Sequence, residues 1–375
     1  MTYPKFLDAK MHEGSEEGFA PTWMPSQLFP FQVAMVEWAL KRGRGAIFAD
    51  CGLGKTFIQL AWAENVVRKT HKRVLILTPL AVAFQTVREG EKLGVEVVHR
   101  RTGIERGDKI VVTNYERLHH FHPEDFAGVV CDESSILKNY DGMTRAAVTD
   151  FLRKRPYRLL CTATAAPNDY IELGTSSEAL GELGAVDMLG RFFKKVEKTL
   201  SRKDEYSAGT YRFRGHAEEH FWRWVCSWAR AIRKPSDMQC EDGAFQLPPL
   251  TVQRHVVKAK TLRSGYLFEM PAQGLEEQRE DLRRTVGERC EQAAALVNAH
   301  QRAAVVWCNL NVEGERLTKD IRGAVEVSGK DPDEAKEEKF AAFASGEARV
   351  LVTKPKIGAW GLNWQHCAHS VSFAG

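Results

Sequence analysis

Two short clusters in this 375-residue chain carry residue types suited to chemistry on a nucleoside triphosphate. The first is Ala49-Asp50-Cys51-Gly52-Leu53-Gly54-Lys55-Thr56, set between an apolar run at 45–48 and a helical pattern at 57–63. Glycines let backbone N–H groups turn toward an anion, and a helix that begins there adds its positive end. In that setting Gly52, Leu53 and Gly54 line the phosphates. Lys55 reaches the β- and γ-phosphates, and the Thr56 hydroxyl holds Mg²⁺. The second cluster is Asp132-Glu133-Ser134-Ser135, which follows the buried-strand pattern Ala127-Gly128-Val129-Val130-Cys131. A strand ending in two carboxylates offers Asp132 to the metal and leaves Glu133 to orient an attacking water. The plain alternatives are a Gly/Lys-rich surface turn for the first cluster, which its strand and helix flanks disfavour, and an ordinary solvated strand end for the second, which taken alone is the commoner reading. Their joint presence points to ATP and Mg²⁺ as cofactors, with Lys55, Asp132 and Glu133 as the catalytic set.

The elements that must hold these residues are legible as an alternation. Short apolar strands at 73–77, 109–112 and 157–160 alternate with helical stretches. That pattern predicts a parallel sheet with right-handed crossovers. Ligands of such sheets sit at the carboxyl ends of the strands, where both clusters fall. From about residue 275 the alternation resumes: a charged helix at 275–300, a strand at 303–308, a helix at 334–343 and a strand at 349–352. The expected fold class is α/β, with two lobes built on parallel sheets, the second incomplete, and a mostly helical insertion between them. The boundaries read as an arm at 1–25, a first lobe at 26–178, a basic insertion at 179–250 and a second lobe at 251–375.

Composition narrows the setting. Apolar residues make up 43 % of the chain, enough for sizeable cores. None of the eight cysteines forms a C-x-x-C pair, which points to a reducing, cytoplasmic environment. Met1-Thr2-Tyr3-Pro4-Lys5 shows no signal-peptide core, and no apolar run approaches the roughly 20 residues that span a bilayer. His119-His120-Phe121-His122 and His366-Cys367-Ala368-His369 contain ligand-type residues. Neither has a partner cluster at zinc-like spacing, so both are set aside.

Charge is unevenly spread. Residues 191–234 hold 12 Lys/Arg against five Asp/Glu, whereas the whole chain is only +4. Such concentration suits a phosphate-binding face. Within it, residues 221–234 read as one helix. Phe221, Trp224, Val225, Trp228 and Ile232 fall on one face and are expected in the core. Arg223, Arg230 and Lys234 fall on the opposite face, as either a solvated stripe or a contact to a nucleic-acid backbone.

Several ordered blocks together resemble the superfamily-two helicase-like ATPases of the Swi/Snf-related, DEAD/DEAH-like branch, especially its small phage and bacterial members. Leu28-Phe29-Pro30-Phe31-Gln32 resembles the adenine-reading block, which implies that Gln32 reads the base. The loop from Ala49 to Thr56 resembles the phosphate block, whose first residue is often alanine in this superfamily. Thr78-Pro79-Leu80 and Thr113-Asn114-Tyr115-Glu116 resemble blocks that grip a nucleic-acid backbone, through Thr78, Pro79, Thr113 and Tyr115. Thr162-Ala163-Thr164-Ala165-Ala166-Pro167-Asn168 resembles the coupling block, with Thr162 and Thr164 transmitting the nucleotide state. The segment from Val352 to Asn363 resembles a second-lobe block that implies ATP contacts at Gly358 and Gly361 and a nucleic-acid contact at Asn363.

The resemblance implies an ATP hydrolase of the DNA translocase or helicase type, acting on double-stranded DNA in a bacterial or phage-infected cell. The alternative is a non-hydrolysing, ATP-responsive DNA-binding fragment. The blocks after Glu133 argue against a P-loop kinase or a transporter ATPase. Three departures stand out. Ser135 replaces the family's usual histidine, Phe29 stands where a basic residue is common, and the final arginine-bearing block is missing after Ser370-Val371-Ser372-Phe373-Ala374-Gly375. That ending is expected to mean a truncated product, or arginines supplied from elsewhere: by a partner protein, or by a residue such as Arg349.

Overall fold

The computed structural model describes residues 16–138, 142–195, 211–246, 249–257, 268, 272, 274–358, 361–362, 364–367 and 371–373. The chain divides into two compact units, Met1–Leu247 and Pro248–Gly375.

The first unit opens with α1 (Pro30–Arg42), β1 (Arg44–Ala49), α2 (Lys55–Thr70), β2 (Arg73–Thr78), α3 (Ala83–Leu93) and β3 (Val97–His99). Then follow β4 (Ile110–Asn114), β5 (Phe126–Asp132), α4 (Met143–Arg153), β6 (Tyr157–Thr162), α5 (Leu173–Leu180) and α6 (Ala185–Phe192). A hairpin of β7 (Phe193–Lys195) and β8 (Tyr211–Phe213), helix α7 (Ala217–Trp228) and strand β9 (Ala229–Ile232) complete the regular elements. Seven strands form one sheet in the order β3-β4-β2-β5-β6-β1-β9, and every pairing in it is parallel.

A parallel sheet covered on both faces needs strands that are apolar at successive positions, and side-chain alternation then sorts them. Ile47, Val74, Ile76, Ile110, Val112 and Leu159 point to one core, where Phe31, Met35, Leu40, Ile58 and Trp62 of α1 and α2 cover them. Ala46, Leu75, Leu77, Val111, Val129 and Leu160 point to the other, beneath Val148, Leu152, Leu180, Phe221, Trp224 and Trp228. Part of the expected arm is tied to this body. Phe19 N–H donates to the Leu40 carbonyl at 2.9 Å, and the buried Asn65 carboxamide accepts from Thr22 and Trp23 N–H at 2.8 and 2.9 Å.

One sequence expectation is corrected here. Residues 221–234 do not form a single helix: α7 ends at Trp228, and the next four residues are β9, paired with Ala46 to Ala49 of β1. Asp50 N–H extends that ladder to the Ile232 carbonyl at 3.0 Å. Small alanines and Ile232 fit a sheet edge, and tertiary pairing outweighs the modest helix propensity of the segment. Arg223, Arg230 and Lys234 therefore share no helical face. Arg223 pairs with Glu219 at 3.1 Å. The Arg230 guanidinium lies 4.6 Å from the Trp38 ring and donates to the Ala229 carbonyl at 3.1 Å. The apolar half of the expectation holds, since Phe221, Trp224, Val225, Trp228 and Ile232 are all buried.

The second unit contains α8 (Leu275–Arg284), α9 (Val286–Asn298), β10 (Ala304–Trp307), α10 (Asn311–Asp320), β11 (Ala324–Val327), α11 (Asp333–Ser345), β12 (Val350–Thr353), α12 (Pro355–Gly358) and β13 (Val371–Phe373). Its four strands are parallel in the order β11-β12-β10-β13. The charged stretch at 275–300 is two helices that meet at Thr285. Across that junction Arg289 donates to the Leu282 carbonyl at 2.6 Å and to the fully buried Glu313 at 2.5 Å.

Trp228 is fully buried under the sheet beside β9. Trp228→Ala is expected to destabilise the first unit by about 3–5 kcal/mol. Urea unfolding followed by Trp fluorescence and circular dichroism checks this; a loss below about 1 kcal/mol would place this indole at the surface.

Candidate active site

The glycine loop lies where β1 hands over to α2. Lys55 is the first residue of that 16-residue helix. Gly52 and Gly54 take φ values of +83° and +72°, which glycine adopts at little steric cost. Space matters as well: a Cβ on Gly54 would collide with the Gln32 amide. That amide donates to the Leu53 carbonyl at 3.0 Å, while Gln32 Oε1 accepts from Phe29 N–H at 3.0 Å. Gln32 thus ties the start of α1 to the loop backbone, an engagement distinct from the base reading expected of it. The Lys55 ammonium donates to the Ala49 and Asp50 carbonyls at 3.1 and 3.4 Å, which holds it over the loop. Thr56 follows, half-buried, on the first turn of α2.

Asp132 ends β5 and is 5 % exposed. Its Oδ1 accepts from Gln59 Nε2 at 2.6 Å. Burial, then the adjacent Glu133, push its carboxyl up to about 6; the Gln59 hydrogen bond and the Lys55 charge pull the other way. A carboxylate so placed favours a cation beside it, which suits a Mg²⁺ ligand. Glu133 takes a φ of +48°, an uncommon conformation for a residue with a side chain. Its Oε2 accepts from the Thr162 hydroxyl at 3.1 Å, and Thr162 Oγ1 accepts from Thr164 N–H at 3.1 Å. Thr162 therefore meets the Glu133 carboxylate directly, and Thr164 reaches it through Thr162.

The remaining sequence candidates are placed as follows. The side chains of Thr78 and Thr113 are fully buried, so neither hydroxyl is exposed at its strand end. Pro79 is half-buried. Tyr115 is also buried, and its hydroxyl donates to the Asp132 carbonyl at 2.5 Å. It supports Asp132 from behind and is not an exposed contact. Ser135 is buried too. In the second unit, Gly358 is packed so closely that a Cβ would lie 2.8 Å from Thr353 Cγ2. Gly361 takes a φ of +66°, and Asn363 lies outside the described residues. The Arg349 guanidinium donates to the carbonyls of Val297, His300, Arg302 and Arg322 at 2.7–3.4 Å. That is a structural strut, not a free arginine awaiting a phosphate.

Gln59 escapes motif reading altogether, and the block that contains Tyr115 gave no sign of its bond to Asp132. Gln59 sits four positions after Lys55, on the same helical face, fully buried between Ile58 and Leu60. A polar amide within an apolar stretch was the available signal. The Tyr115 hydroxyl carried none, because its acceptor is a backbone carbonyl.

No protein-family model matches the chain, and no curated protein matches it. Among solved structures it is similar to the SWI2/SNF2 ATPase core of Sulfolobus solfataricus in complex with double-stranded DNA. That comparison has 14 % identity and a TM-score of 0.47, covering 90 % of this chain and 80 % of the other. It is similar also to the SWI2/SNF2 ATPase core domain of the same organism, at 13 % identity and a TM-score of 0.47, over 95 % and 86 % of the two chains. A third similarity is to the UvsW helicase of bacteriophage T4, with 14 % identity and a TM-score of 0.35 over 48 % and 66 %. Among the described residues, no helix is long and apolar enough to cross a membrane.

The elevated Asp132 pKa has a testable sign. The folded value of about 6 lies above the ordinary 3.8. The charged carboxylate therefore costs nothing below about pH 4 and its full penalty, roughly 3 kcal/mol, above about pH 6. Without added divalent ions, Asp132→Asn should match the wild type near pH 4 and exceed it in stability by about 1–3 kcal/mol at pH 8. Equal urea midpoints at both pH values would show that Asp132 is solvated.

Proposed function

We propose that the chain is an ATP-driven motor acting on double-stranded DNA. The observation that carries this reading is the convergence of the glycine loop, the buried Asp132 and the Glu133–Thr162 hydrogen bond at one edge of a parallel sheet. A phosphate site alone would suit a kinase. A water-orienting carboxylate bonded to a segment that leads away from the nucleotide suits a device that converts hydrolysis into movement.

In this reading Gly52 to Thr56 present backbone N–H groups and the positive end of α2 to the phosphates. Lys55 leaves its two carbonyl partners for the β- and γ-oxygens. Asp132 and Thr56 would hold Mg²⁺, which supplies neutralisation of charge on those oxygens. Gln59 and Tyr115 keep the Asp132 carboxylate and its backbone in place. Glu133 orients the attacking water and accepts its proton. As it does so, its hydrogen bond to Thr162 changes character, and the segment beyond Thr164 feels the change. Loss of Mg-ATP binding or of turnover therefore separates the roles.

Lys55→Ala should weaken ATP binding severely, and Glu133→Gln should keep binding while lowering turnover by about 10²–10⁴-fold. Thr162→Val should leave ATP affinity near wild type yet reduce stimulation of turnover by duplex DNA. Equilibrium binding of a fluorescent ATP analogue and steady-state hydrolysis with and without duplex measure these effects. Undiminished ATP affinity in Lys55→Ala would refute the phosphate-loop assignment.

A further inference from the structure

The β7–β8 hairpin carries a charge arrangement that the ATP site does not explain. Its strands are antiparallel, with Phe193 opposite Phe213, Lys194 opposite Arg212 and Lys195 opposite Tyr211. Alternation sends Phe193, Phe213 and Tyr211 inward, where Phe193 and Phe213 stack at 4.6 Å and pack against Phe221. Lys194 and Arg212 then stand side by side on the outward face, and both are exposed. Like charges directly opposite one another in a sheet repel. Among the described residues no carboxylate pairs with Lys194, Lys195 or Arg212. Arg214 extends the cationic row, with its guanidinium Nε on the Phe193 carbonyl at 2.7 Å. Two cations held opposed in a short, aromatic-anchored hairpin make a surface whose repulsion an anion would relieve.

The hairpin also touches the chain that leaves the coupling segment. Tyr170, 47 % exposed, stacks on Phe213 at 6.3 Å and meets Trp222 edge-on at 4.9 Å. Seven residues lie between Thr162, which holds Glu133, and Tyr170, which holds the hairpin. A hydrogen bond, the chain from Thr162 to Tyr170 and the Tyr170–Phe213 ring contact therefore lead from Glu133 to the cationic pair.

We propose that the outward face of the β7–β8 hairpin, centred on Lys194 and Arg212, docks the phosphodiester backbone of the nucleic acid, with Tyr170 joining it to the coupling segment. This rests on the motor reading above and assigns its DNA contact to a surface other than the Arg223, Arg230 and Lys234 set. Opposed Lys and Arg side chains with no base-edge geometry suit phosphates and read no sequence.

The test uses the full chain carrying Lys194→Gln and Arg212→Gln together, with a short labelled duplex of arbitrary sequence followed by fluorescence anisotropy. Two lost phosphate contacts should make the log–log salt slope shallower by about 1.8. Between about 50 and 200 mM salt the wild type should then lose roughly twelvefold more affinity than the variant. ATP affinity should be unchanged. The melting temperature of the variant should equal or exceed that of the wild type, because the repulsion is gone; a fall would mean that the cations are structural and would overturn the proposal. An unchanged salt slope and affinity would overturn the hairpin surface and leave the motor reading standing. A wild type that binds ATP but no duplex at low salt would instead overturn the reading on which the surface rests. Preference for a poly-glutamate peptide over duplex, abolished in the double variant, would replace the nucleic acid by an acidic protein partner.

Discussion

The register between β5 and its neighbours is the constraint on which the site depends. Asp132 pairs with Cys161 in β6, and Phe48 of β1 pairs with Thr162 at the end of that same strand. Because all strands run the same way, those pairings bring Ala49, Asp132 and Thr162 to a single edge. A slip of one residue would turn Asp132 from the helix that carries Lys55 and Gln59 to the opposite face. What holds the register is not the site, which is polar and partly opposed to folding, but the apolar layers on both faces. Val74, Ile76 and Val112 cannot exchange sides with Leu75, Leu77 and Val111 without exposing large side chains to water.

That division of labour explains why so much was legible in the sequence. Strands buried on both faces appear as apolar runs, and a phosphate loop needs glycines at positions that bend to positive φ, so β1, β2, β4, β5, β6 and the Gly52–Lys55 turn announce themselves. The parts that escaped depend on distant partners. Residues 229–232 have no local reason to leave a helix; they become a strand because β1 offers an open edge. Arg349 looks like any second-lobe cation until four carbonyls from distant segments are seen to converge on it. Gln59 is a common helix former whose partner, Asp132, lies more than seventy positions away. Thr78 and Thr113 match motif positions, yet their burial depends on the helices above them.

Ser135 poses the sharper question, because the family resemblance would put a histidine there, linking the Asp132-Glu133 strand end to the segment from Thr162. A buried serine is too short to replace it. The geometry supplies a shorter route: Glu133 itself reaches the Thr162 hydroxyl at 3.1 Å. The backbone makes this possible. With φ at +48°, Glu133 departs from the strand direction of Asp132, so two adjacent carboxylates that alternation would place on opposite faces serve one site. Such a conformation costs of order 1–3 kcal/mol, and Tyr115, anchoring the Asp132 carbonyl at 2.5 Å, supports the peptide that adopts it.

The same economy shapes the electrostatics. Asp132 is buried with neutral donors, the Gln59 amide and the Glu133 backbone, and its charge is left incompletely compensated. A salt bridge at that position would stabilise the empty fold but would compete with a cation for the same oxygens. A neutral amide orients the carboxylate without neutralising it. Lys55 adds a charge leashed to two carbonyls, which in the proposed reading it exchanges for phosphate oxygens. The site is thus organised in shape while its principal charge remains unsatisfied, so under the proposed function binding energy from a cation and a triphosphate would be available to stabilise the state in which Glu133 and Thr162 act together.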